Sequence, residues 1–135
     1  VPLETFDSAG RLLRSDAVGI TKWARLERTT NLALAPGNSQ ISWDSVVADN
    51  DAIFDSAQPK RLTARTAGTY IVVVRTNVII VLGGSNERKM VLNKNGAQVA
   101  EEIDYVTAAG RLGRGIVSLA QLAAGDYMTL DMYNA

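Results

Sequence analysis

Residues 70–82, YIVVVRTNVIIVL, restrict what this chain can fold into more than any other stretch. Val and Ile dominate it, and branched side chains favour the pleated strand over the helix. A membrane-spanning helix does not fit. It needs roughly 20 apolar residues, and Arg75 and Asn77 sit mid-run, where a charge costs about 2.5–3.5 kcal/mol. On a strand, successive side chains face opposite ways. Tyr70, Val72, Val74, Thr76, Val78, Ile80 and Leu82 form one face, apolar except for the Thr. Ile71, Val73, Arg75, Asn77, Ile79 and Val81 form the other, apolar with two polar groups at its centre. An antiparallel strand with one face in water shows polar residues at every second position. This one does not, so the pattern predicts cover on both faces: a sandwich core over the even-numbered side and a second body over the odd-numbered side.

Elsewhere strand signals recur between turn residues, and no window keeps a 3.6-residue apolar period between a cap and a terminal Gly. Trp23–Leu34 reads as a strand closed by the turn Pro36-Gly37-Asn38, followed by strands at Gln40–Val47 and Arg61–Gly68. After Gly83-Gly84-Ser85-Asn86, two strands meet at Lys94-Asn95-Gly96; Asn-Gly suits a tight hairpin because both residues accept positive φ. Arg111–Leu122, the turn Ala124-Gly125-Asp126 and Tyr127–Tyr133 complete the chain. Some eight or nine short strands with regular turns predict an all-β sandwich or barrel. Residues 1–21 have no clean period and read as an extended N-terminal arm that gains order against a partner. Residues 22–135 read as the domain.

The composition narrows the chemistry. At 135 residues the chain is the size of one domain. Lys plus Arg balances Asp plus Glu at 14 each, which gives no general reason to expect nucleic acid or an anionic membrane as a partner. With no Cys and no His, thiolate chemistry and the commonest general base and metal ligand are unavailable. The N-terminal residues lack the basic start and apolar run of a signal peptide. Grouped carboxylates occur at Asp49, Asp51 and Asp55 and at Glu101, Glu102 and Asp104. Paired carboxylates hydrolyse glycosides when held about 5–9.5 Å apart, and nothing in the sequence fixes such a pair. The stretch ADNDAIFD lacks the central Gly and distal Glu of a calcium loop. No catalytic residue, metal ligand or cofactor is therefore expected.

From residue 41 onward the punctuation follows a wider pattern. ISWDSVVADN, LTARTAGTYIVVV, LNKNGAQV and VSLAQLAAGDYMTL, in this order and spacing, resemble the tumour-necrosis-factor-like jelly roll, in style nearest the globular heads of the first complement component. The matching positions are Ile41, Trp43 and Asp44; Thr63, Ala64, Gly68 and Tyr70; Lys94, Asn95 and Gly96; and Leu122, Gly125 and Asp126. The resemblance implies an antiparallel β-sandwich jelly roll that forms homotrimers, with inner sheets packed about a threefold axis. The odd-numbered face, Ile71, Val73, Arg75, Asn77, Ile79 and Val81, would then be the trimer interface. Arg75 and Asn77 would need partners across the axis, since a buried unpaired charge is strongly unfavourable. The alternative is that the arm or a loop covers this face within a monomer.

The chain departs from the family at two points. The family's last strand follows the one that YMTLDMY resembles, and the sequence ends at Ala135 before it. The place left between the early strand and 70–82 is expected to be closed by YMTLDMY or by the early strand itself, with the arm as the alternative, folded back on its own subunit or lent to a neighbour by strand addition. There is also no Gly-X-Y stalk and no spanning helix, so the animal signalling role is not expected to transfer.

Small jelly rolls of this superfamily occur in phage virions. The resemblance, the arm and the lack of a catalytic set together suggest a non-enzymatic, trimeric decoration or stabilising protein on a bacteriophage capsid. Its partners would be itself and the major capsid protein, at the virion surface. The arm would bind the capsid through Phe6, Arg11, Leu12, Leu13 and Arg14. The alternative is a receptor-binding or lectin-like head of a phage tail fibre or bacterial surface protein, with recognition around Trp43, Phe54 or the acidic loop.

Overall fold

The run of Val and Ile at 70–80 lies on one of the two longest strands of the computed structural model, which describes residues 5–6, 12–14, 22–34, 36–80 and 87–134. Those residues hold eleven strands and no helix: β1 (Thr5–Phe6), β2 (Leu12–Arg14), β3 (Ala24–Glu27), β4 (Gly37–Gln40), β5 (Ser45–Asp49), β6 (Leu62–Thr63), β7 (Gly68–Ile80), β8 (Glu87–Lys94), β9 (Ala97–Tyr105), β10 (Gly110–Leu122) and β11 (Tyr127–Asn134). All pairings are antiparallel, and the architecture is a β-sandwich.

β7 and β10 make one layer, paired without interruption from Gly110 opposite Ile80 to Leu122 opposite Gly68. The second layer centres on β11, with β4 and β6 along one edge and β8, then β9, along the other. β3 pairs with β5, and β1 pairs with β2 inside the segment read from sequence as an arm. The core forms where the layers face. Met90, Leu92, Met128, Leu130 and Met132 come from the β8–β11 side, and Val74, Ile116, Ala120 and Leu122 from the β7–β10 side. Leu92 and Leu130, paired across β8 and β11, are the most deeply enclosed large side chains. Fully burying such a side chain contributes about 1.5–3 kcal/mol.

The hairpin at Asn95-Gly96 forms as the sequence implies, with φ of 50° and 84°. Four expectations change. The strand read over Arg61–Gly68 is limited to β6 and the one over Trp23–Leu34 to β3, and the one read over Gln40–Val47 divides into β4 and β5. Between them the backbone changes partners: the Ile41 N–H bonds the Leu130 carbonyl at 2.8 Å, the Trp43 N–H the Pro59 carbonyl at 2.8 Å and the Asp44 N–H the Glu27 carbonyl at 3.2 Å. A chain crossing from one sheet to another in four residues cannot stay in one ladder. Finally, neither YMTLDMY nor the early strand fills the place beside β7. The former is β11, committed to the opposite layer, and β3 is committed to β5.

Candidate interaction face and groove

The ladder of β7 on β10 decides what each side chain sees. Val74 is 7% exposed and opposes Ile116, itself buried in the core. One residue away, Val73 is 59% exposed and opposes Val117 at 72%, and Ile71 at 60% opposes Leu119 at 71%. Ile79, also exposed, opposes Arg111 farther along. Between these ends, Arg75 lies opposite Gly115 and Asn77 opposite Gly113. A Cβ added at Gly115 would crowd the Val74 carbonyl at 3.1 Å and make ordinary contact with Arg75 Cγ at 3.9 Å, so the close approach of the two backbones favours glycine there. The face is therefore an apolar patch at one end, then a polar trough, then Ile79.

Of the side chains singled out in the sequence for this face, Ile71, Val73, Arg75, Asn77 and Ile79 lie together on it, and Val81 falls outside the described residues. Sequence reasoning did not include Val117 and Leu119. Their period-2 alternation with Ile116, Ser118 and Ala120 was readable, but the pairing of 110–122 with 68–80 is non-local. Of the arm residues, Phe6 lies on β1 and Leu12, Leu13 and Arg14 on β2, while Arg11 is outside the described residues.

The acidic groups are occupied with holding loops. Asp44 Oδ1 accepts the Thr29 N–H at 2.7 Å and Oδ2 accepts the Thr30 hydroxyl at 2.7 Å. The Thr30 hydroxyl first, then the Thr29 amide, hold this carboxyl well below the usual carboxylate range. Asp49 accepts backbone N–H groups from Asp51, Ile53 and Phe54, Asp51 meets Lys22 at 3.2 Å, and Asp55 accepts the Ala57 N–H. Asp126 is lowered chiefly by the Asn95 amide, then by the Ala123 N–H. Glu102 and Asp104 both engage Arg114, whose own pKa is raised by the Asp104 hydrogen bond. Each of these carboxylates accepts a hydrogen bond or meets a cation from a neighbouring segment. Among the described residues no group of three or more His, Cys, Asp or Glu could hold a metal ion. Trp43 and Phe54 are both half-buried; Trp43 packs against the core, and the Phe54 backbone bridges to Leu62.

The second feature is a groove of about 1410 Å³ that reaches down to Leu92 and Leu130, with residues 72–79 of β7 along one wall and residues 24–28 of β3 and its continuation along the other. Ile41 and Trp43 also line it. Among the described residues, β10 is the only strand paired with β7 and β5 the only strand paired with β3. No family model matches this sequence, and no curated protein matches it.

Proposed function

We propose that this protein is a non-enzymatic structural protein that forms homotrimers through the outer face of β7 and β10 and serves as a decoration or stabilising protein on a bacteriophage capsid, anchored by residues 1–21. The observation that carries the reading is the apolar patch of Ile71, Val73, Val117 and Leu119, contiguous across two paired strands and each more than half exposed. Contiguous apolar surface of this kind marks interaction sites more often than scattered single residues do. Support for three copies and for a capsid as the mounting surface comes from the resemblance of residues 41–135 to the tumour-necrosis-factor-like jelly roll.

Native mass measurement at micromolar concentration tests the first step, with about three times the 14.5 kDa chain mass expected. Electron microscopy of the particle tests the second, with knobs of three copies expected on the capsid shell. A folded monomer at every concentration, with or without the particle, is incompatible with the reading. Density at the tail tip would place the protein as a receptor-binding head instead.

A further inference from the structure

We propose that the groove between β3 and β7 is an acceptor site for an extended, acidic peptide strand of a partner protein. In an antiparallel pair, every second residue turns its N–H and C=O away from its partner. Along residues 72–79, about four residues of β7 therefore present both groups on the side away from β10, where the groove runs. Among the described residues nothing pairs with this edge, and unpaired sheet edges bind extended segments by strand addition. The dimensions agree: 72–79 spans about 26 Å at about 3.3 Å per residue, and 1410 Å³ exceeds the roughly 300–1,000 Å³ of small-molecule sites.

Side chains on alternate positions of such a strand would meet different surroundings. One set would face Ile41, Trp43, Leu92 and Leu130 and is expected to be apolar. The other set would emerge beside an excess of positive charge: Arg25, Arg28, Arg75, Arg88 and Arg111 line the groove, against Glu27. Among the described residues, Arg75 and Arg111 have no ion-pair partner. Arg28 bonds Ser42 through Nη1 at 2.9 Å, yet its Nε is buried without an acceptor. Arg75 sits on the outward face of β7, where a residue directly opposite on an added strand would come within about 4.5–5.5 Å. Carboxylates at the emerging positions fit these groups. A strand flanked by both β3 and β7 must have both its edges free, and each of β1 to β11 already uses one. The described strands of a second copy therefore cannot serve.

The test is amide hydrogen exchange over 72–79 in the full chain, at several concentrations, with and without a synthetic peptide of about nine residues that alternates Val with Glu and Thr. A second peptide carries Lys in place of Glu. Light scattering on the same samples follows association separately. The groove-side amides are expected to exchange readily in the protein alone at all concentrations. The Glu peptide should slow them, and the Lys peptide should bind at least about fivefold more weakly. Protection already present and independent of concentration would mean that the chain's own residues fill the groove, and protection rising with concentration would mean that a second copy does. Either result overturns the proposal, as does equal binding of the two peptides or no protection by the acidic one.

Discussion

Asn95 and Gly96 show how little sequence is needed to fix a local geometry. Both have positive φ, and a Cβ at Gly96 would meet nothing within 4 Å. Replacing Gly96 by Val therefore costs conformational energy alone, about 1–2 kcal/mol for forcing an L-residue into the left-handed region. A lower thermal midpoint with unchanged spectra of the folded state is the expected outcome; an unchanged midpoint would mean that the turn relaxes into another type. Beside this turn, Asp126 collects the Asn95 amide at 2.8 Å, the Ala123 N–H at 2.9 Å and Lys94 at 3.3 Å. Asp126 and Asp44 both have folded-state pKa values below those of the unfolded chain. The sign follows: the unfolded state takes up protons first, so their contribution is complete above about pH 4 and is lost as pH falls through the lowered values. Thermal midpoints measured from pH 7 to pH 2.5 should fall below about pH 4, and less steeply in Asp44→Asn and Asp126→Asn. A wild-type profile flat to pH 2.5 would contradict the assignment.

At the scale of elements, β7 makes the sharpest comparison because neighbouring residues on it have opposite surroundings. Val74→Ala removes two buried methyl groups from the contact with Ile116 and is expected to cost about 2 kcal/mol. Val73→Ala should change the stability of the isolated chain by no more than about 0.5 kcal/mol and act on association instead. Equal losses in chemical denaturation at low concentration would show that the two faces are not distinguished as the structure has them. The alternation along 70–80 was legible in the sequence, because period-2 patterning is a local property. The hairpin of β8 and β9, the long strand β10 and the final β11 were legible for the same reason. The division of 40–47 was not. Asp44 reads as one polar residue in an alternating strand, and only its bonds to Thr29 and Thr30 reveal a corner. Nor was the candidate face complete, since Val117 and Leu119 join it through a ladder whose closest members, Gly110 and Ile80, are thirty residues apart in sequence. The groove was foreseen only as a place to be filled. That neither β11 nor β3 fills it follows from which sheet each of them joins, a tertiary choice with no local signal.

The whole molecule carries two surfaces that share one strand, so the test of self-association must leave β7 untouched. Substitution on β10 does this: Val117 and Leu119 are 72% and 71% exposed and contribute to the outer face without lining the groove. Asp at either position costs the isolated chain little, because the site is open to water. In a trimer packed on this face the same carboxylate would be desolvated without a partner, at a cost of several kcal/mol for each copy. Val117→Asp and Leu119→Asp are therefore expected to reduce the native mass from about three times 14.5 kDa to that of one chain, with little change in the unfolding transition of the dilute protein. Salt then separates the two ways the face could hold. Association through apolar contact should persist in 1 M NaCl, where the screening length is about 3 Å, and weaken on cooling as the hydrophobic contribution declines. Association through Arg75 and the trough should do the reverse and dissolve in salt. Light scattering of the wild type and both variants, at low and high salt and at two temperatures, distinguishes these outcomes. If both Asp variants keep the wild-type mass, the outer face of β7 and β10 is not where copies of this chain meet.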